Sequence, residues 1–208
     1  GDQANYANFW KNTPVSEAIN YLMNEKKVPV GGTSAGCAIL GEVIFDAING
    51  TITTEEALQN PFDTKLSIQK GGFLQQAFLK NTITDTHYNN PDRKGRHLTF
   101  LARMSKDWEL VAKGIGVEEK TAVCIDETGK AMVLGSNNAF FLQTTGQNPE
   151  ICENNKPLTW HQAGEAVKVY VIKGGNPANG FVDLTDWSKI SGGTWQYFSA
   201  KAGVFSVK

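Results

Sequence analysis

Gly31-Gly32-Thr33-Ser34-Ala35-Gly36 stands between a short β-type run at residues 28–30 and a long apolar run at residues 35–48. This is a G-x-S-x-G turn in strand–turn–helix context. Such a nucleophile elbow is sharp and strained, so it lifts a serine hydroxyl off the backbone and aims it at a cleft. The flanking glycines are expected where a Cβ would clash as the chain reverses. The run after the serine carries Ala38, Ile39, Leu40, Val43, Ile44, Phe45, Ala47 and Ile48. Apolar on nearly every side, it is expected to form a central buried helix. The N–H groups at its start would face a developing oxyanion.

Outward from the turn, Thr13-Pro14 opens a helix with a hydroxyl N-cap and a proline at the first position. Val15, Ala18, Ile19, Leu22 and Met23 follow on one stripe at helical spacing. Residues 51–80 are polar and Gln-rich, punctuated by Gly71-Gly72. Ile83-Thr84 closes a short strand that delivers Asp85-Thr86-His87, and residues 93–106 read as a helix. Residues 121–125 and 130–134 flank Glu127-Thr128-Gly129 as a hairpin. Residues 139–142 and 167–172 are further strands, 145–160 a loop, and the tail from Gly174 a lightly structured C-terminal extension. Alternating strands and helices predict an α/β sheet with helices on both faces. Gly1-Asp2-Gln3-Ala4-Asn5 reads as the loop after an earlier strand. The N-terminal strands of the sheet are therefore expected to be absent from this chain. The division predicted is residues 1–173, the C-terminal part of an α/β domain, and 174–208, the extension.

Composition narrows the function classes. A formal net charge of -1 gives no field for nucleic acid or an anionic membrane, and no run reaches the length of a membrane span. Cys37, Cys124 and Cys152 are odd in number and lack C-x-x-C spacing, which argues against a disulfide scaffold or a zinc site. No cofactor or metal is expected. The cysteines leave the compartment open; an upstream signal, removed, would favour a secreted or periplasmic destination.

A serine nucleophile needs a base, usually histidine, oriented by an acid. His87, His97 and His161 are the three histidines. His87 ends an apparent strand beside Asp85, Tyr88 and Asn89, where α/β folds place catalytic groups. His97 falls inside a helix as a surface or packing residue, and a structural role is favoured for His161.

Four blocks together carry a resemblance: Gly1-Asp2-Gln3; Gly31-Gly32-Thr33-Ser34-Ala35-Gly36; Asp85-Thr86-His87-Tyr88 with Arg93, Gly95 and Arg96; and Gly114-Ile115-Gly116-Val117-Glu118. Over roughly residues 1–173 the chain resembles the cyanophycinase and dipeptidase E family of serine peptidases. The resemblance implies a class I glutamine amidotransferase-like fold and a serine exopeptidase or isopeptidase acting next to an aspartyl residue. It implies Ser34 as nucleophile and His87 as base. Ala35 and Gly1 would supply the oxyanion hole, and Gln3, Asp85, Arg93 and Arg96 the substrate pocket. It also places the acid in the segment after the nucleophile helix, which leaves Asp46, Glu55, Glu56 and Asp63 open, with Glu42 too close to the elbow and Asn49 a polar substitute. Thr86 departs from the family's glutamine and Pro91 from the first arginine of its run, and both positions belong to the substrate pocket. An arginine fork suits an aspartyl carboxylate, since it matches two oxygens at once.

Two other readings stand beside this one. An α/β-hydrolase esterase would use a late histidine such as His161, although the chain has no His-Gly-Gly-Gly loop. A binding protein could keep the fold without the chemistry. The expected partners are a peptide substrate and an N-terminal fragment of the same precursor, the chain being processed by a cut before Gly1; a homodimer is an open alternative.

Overall fold

The computed structural model describes all residues, 1–208. In chain order the elements are α1 (Gln3–Trp10), α2 (Pro14–Asn24), α3 (Ala35–Ala38), β1 (Val43–Phe45), α4 (Thr54–Gln59), β2 (Ile68–Lys70), β3 (Thr82–Thr86) and α5 (Lys94–Trp108). There follow β4 (Lys113–Val117), β5 (Thr121–Ile125), β6 (Lys130–Gly135), β7 (Asn138–Thr144), β8 (Val167–Lys173), β9 (Phe181–Asp183), β10 (Ile190–Ser191), β11 (Gly193–Lys201) and β12 (Val204–Val207). The fold is α/β with two sheets. An eight-stranded sheet runs β12-β11-β8-β7-β4-β3-β1-β2, and a four-stranded sheet runs β10-β9-β6-β5. Only β1–β3 and β3–β4 pair in parallel; the other pairs of the main sheet are antiparallel.

Strand alternation splits the core in two. On β7, Phe140 and Leu142 face one way, into a cluster with Leu98, Leu101 and Met104 of α5 and Leu58 of α4. Ala139 and Phe141 face the other way, against Val133 of β6 and Val182 of β9. Helices thus cover one face. The small sheet covers much of the other, and near Ile44 the cover is Ala7 of α1 and Ile39 just past α3. No helix is long and apolar enough to cross a membrane.

Four sequence expectations are corrected. The long helix over 35–48 is a single turn, α3, followed by strand β1, whose three residues are all buried. A wholly apolar run suits a buried strand as well as a buried helix. Gly41 decides between them, because a Cβ there would collide with the Thr82 carbonyl as the chain joins β3. Residues 28–30 pair with no strand; Val28 and Val30 lie exposed outside any helix or strand. The tail is not lightly structured, because β11 pairs with β8 over six registered positions and β12 closes the edge. Phe198 and Ala200 are buried in the core while Trp195 stands out on the opposite side. Finally, helices do not cover both faces alone, since the four-stranded sheet takes much of the second.

Candidate active site

The Gly31–Gly36 turn leads into α3. Ser34 sits at φ 53°, ψ -123°, a left-handed conformation that a non-glycine residue adopts at a cost. The surrounding turn enforces it: Gly36 N–H donates to the Thr33 carbonyl, and Cys37 and Ala38 N–H both donate to the Ser34 carbonyl. Of the flanking glycines only Gly32 is needed sterically, since a Cβ there would strike the Gly36 carbonyl. Gly31 and Gly36 face open space. The Ala35 N–H has no acceptor within the protein and stays free at the first turn. Burial pushes the Cys37 thiol up to about 12, so the neighbouring cysteine is no rival nucleophile.

Parallel pairing of β3 and β4 brings the remaining groups together. Their last residues, Thr86 and Val117, are in register. The loops beyond them therefore emerge side by side, as at the carboxyl ends of parallel strands generally. The first loop carries His87 and the second Glu119. His87 Nε2 lies 3.1 Å from Ser34 Oγ, and His87 Nδ1 lies 3.4 Å from Glu119 Oε1. None of the acids expected from the sequence reaches the ring. Asp46 accepts from Ser67, Gln69 and the Ile48 N–H. Glu56 caps α4 and pairs with Lys65, and Asp63 caps its own turn at Lys65 N–H. Glu42 accepts from Asn81 N–H, Asn49 donates to the Thr64 carbonyl, and Glu55 sits in the first turn of α4. Glu119 is the residue that sequence reasoning missed. Its signal was its place just past the Gly114–Glu118 block, at the end of a strand parallel to the one bearing His87.

A cavity of about 360 Å³ opens over this array. It is lined by Gly1, Asp2, Gln3, Ser34, Ala35, Ala47, Gly50, Thr51, Thr86, His87, Arg93 and Arg96. Of the residues expected as nucleophile, base, oxyanion hole or substrate pocket, only Asp85 and Pro91 are absent from its wall. Asp85 is 1% exposed and grips Arg96, with Nε to Oδ2 at 2.8 Å and Nη2 to Oδ1 at 2.5 Å. Arg96 Nη1 donates to Thr51 Oγ1 and the Ile52 carbonyl. The two side chains form a buried ion pair, with Arg96 at the cavity wall. Burial pushes the Asp85 carboxyl up, but the Arg96 charge and its hydrogen bonds outweigh this and hold it below the usual carboxylate range. Arg93 differs. One donor, Nη1, meets the Thr86 carbonyl at 2.9 Å, and its Nε is buried without a partner. Arg93 is thus the cation of the cavity whose hydrogen bonds are not spent. No cluster of three or more His, Cys, Asp or Glu side chains is arranged to hold a metal ion.

His97 is fully buried, not a surface residue, and His161 does not line the cavity. Burial pushes the His97 ring down from 6.5 to about 4, so it is neutral in the fold. The unfolded chain takes up that proton near pH 6.5, so the stabilisation is complete above 6.5 and is lost as pH falls toward 4. At about 1.4 kcal/mol per pH unit, the loss is about 3 kcal/mol. Urea titrations at pH 7 and pH 4 should show it, and in His97→Gln the part due to this ring should vanish. An equal pH dependence in both proteins would exclude the effect.

No family model matches the chain. Among curated proteins it is similar to cyanophycinases. It is 26% identical over 164 residues to that of Trichormus variabilis, covering 77% of this chain and 50% of the relative. It is 25% identical over 182 residues to that of Synechococcus elongatus, covering 86% of this chain and 50% of the relative. The match to the Geminocystis herdmanii protein is 26% over 135 residues, covering 65% of this chain and 44% of the relative. The chain thus spans about half the length of the curated relatives it matches. These similarities, spread over most of the chain, support a cyanophycinase-like family.

Proposed function

We propose that this protein is a serine-type hydrolase of peptide bonds next to aspartyl residues, a cyanophycinase-like exopeptidase or isopeptidase on a class I glutamine amidotransferase-like fold. The observation that carries it is the contact of Ser34 Oγ with His87 Nε2 at 3.1 Å, with Glu119 at the other ring nitrogen. In the reading we adopt, the neutral ring carries its proton on Nδ1, directed at Glu119, and Nε2 accepts the Ser34 proton. Oγ attacks the scissile carbonyl as that proton moves to Nε2. The free Ala35 N–H and the Gly1 segment beside it receive the oxyanion. The imidazolium then protonates the leaving amine, and an acyl-serine remains. Water, deprotonated by the same nitrogen, releases the acid and frees the serine.

Arg93 supplies the specificity. With Arg96 neutralised by Asp85, an anionic substrate group meets Arg93 alone, through a fork that matches a carboxylate. Gln3, Thr51 and Thr86 add neutral polar contacts. Thr86 and Pro91 differ from the family's pocket residues, so the aspartyl dipeptide or isopeptide bond is the better substrate class to test than cyanophycin itself. An esterase using His161 lacks support, because that residue lies off the cavity wall.

A fluorophosphonate probe should label Ser34, and aspartyl dipeptides should be cleaved in preference to alanyl or leucyl dipeptides and to short acyl esters. Arg93→Met should lose about 1.5–3 kcal/mol of charge-assisted hydrogen bonding, or roughly 10- to 150-fold in kcat/KM for aspartyl substrates only. No labelling of the folded protein would favour the binding-protein reading. Equal cleavage of leucyl dipeptides would remove Arg93 from the specificity pocket.

A further inference from the structure

We infer that Tyr88 and His97 form a positioning pair that fixes the His87 loop against Glu119, and that Gly114-x-Gly116 is spaced to seat it. This rests on the reading of His87 as base. Neither residue touches the cavity: both are fully buried, one directly after His87 and one on α5. His97 Nδ1 lies 3.0 Å from Tyr88 Oη. Their rings meet edge to face, with centroids 5.5 Å apart, and Phe140 backs the Tyr88 ring at 4.9 Å. Both rings lie on strand β4. A Cβ on Gly114 would run into the His97 ring, and one on Gly116 into the Tyr88 ring. Residues two apart share a strand face, so the two glycines clear adjacent seats for two rings.

The consequence reaches the reacting groups through the backbone. His87 is held at φ 51°, a strained conformation that needs firm neighbours on both sides. On its far side Tyr88 N–H donates to the Val117 carbonyl at 3.3 Å, and the Tyr88 carbonyl accepts from Arg93 N–H at 3.2 Å. Val117 is two residues before Glu119. The seated Tyr88 ring therefore sets three things together: the turn bearing His87, the strand end bearing Glu119, and the start of the segment bearing Arg93. A buried tyrosine hydroxyl needs a partner, and His97 is that partner.

The test compares Tyr88→Phe, His97→Leu and His97→Gln, each confirmed folded by circular dichroism. Two readouts are taken: kcat and KM on an aspartyl dipeptide, and the ring ¹⁵N resonances of His87. Tyr88→Phe and His97→Leu should lower kcat by about tenfold or more, because small misplacement of a reacting group is costly, and leave KM nearly unchanged. The His87 resonances should shift in both. His97→Gln should recover most of kcat, since its amide can still bond the Tyr88 hydroxyl. Should His97→Leu not fold, Tyr88→Phe, which leaves the ring in place, carries the test. Folded Tyr88→Phe with wild-type kcat and unmoved His87 resonances would reduce the pair to core packing. An unmutated protein that cleaves nothing would overturn the proposed function, while the His87 resonances would still report on the pair.

Discussion

Ser34→Ala is expected to abolish hydrolysis and leave the fold intact. The side chain contributes one hydroxyl, which faces His87 and caps nothing. Alanine meets the same left-handed backbone that serine already tolerates at φ 53°, so the turn should survive. Loss of the nucleophile should lower kcat by roughly ten-thousandfold or more. His87→Ala should be nearly as damaging, and the double variant little worse than either, because the two act as one unit. Glu119→Gln should cost less, by roughly one to two orders of magnitude. Its contact with the ring is longer, 3.4 Å, and both side chains are about two-fifths exposed, at 39% and 43%, where water screens and substitutes. Single-turnover rates and probe labelling on variants checked by thermal melting would measure the series. Near-normal turnover by pure Ser34→Ala would sink the mechanism. If His161→Ala were the dead variant instead of His87→Ala, the esterase-like order would replace it.

What could be read from the sequence follows how local each feature is. The start of α2 at Thr13-Pro14, α5, the β5–β6 hairpin, β7 and β8 are written in short patterns, and they stand where those patterns put them. Ser34 and His87 were legible because each sits on a motif at an element boundary. Features set by register were not legible. Glu119 faces His87 only because β3 and β4 pair in parallel with Thr86 opposite Val117. Nothing in the residues between 87 and 119 states that pairing. The split of 35–48 into α3 and β1 depends on backbone contact between Gly41 and Thr82, a tertiary fact that overrides an ambiguous apolar run. In the tail, frequent Gly and Asn hid β11, whose partner β8 lies more than twenty residues upstream. The cavity itself was half legible. Both arginines that line it stand out in the sequence, but their surroundings separate only once Asp85 is seen to grip Arg96 at 2.5 Å and to lie farther, at 3.9 Å, from Arg93.

That separation gives the second large effect. Arg96→Met is expected to destabilise the protein by about 3–5 kcal/mol, the usual cost of leaving one member of a buried ion pair uncompensated. Asp85 and Arg96 side chains are 1% and 3% exposed, and the charge left behind has no other close partner of opposite sign except Arg93 at 3.9 Å from Asp85. Asp85→Leu should cost a similar amount, for then Arg96 is the stranded charge. The double variant Asp85→Leu/Arg96→Met should recover much of the loss, because it strands neither. The pair also fixes an acid limit. A carboxyl held below its ordinary 3.8 contributes stability that is complete above that pH and is lost as pH falls through the lower folded value. Wild-type protein should therefore lose this part of its stability only below pH 3.8, and Asp85→Leu should lack it at every pH. Urea melts at pH 7 and pH 3 measure both effects. A substrate clamp behaves otherwise: Arg96→Met would melt like wild type and show only a raised KM for aspartyl substrates. That result would return Arg96 to the substrate.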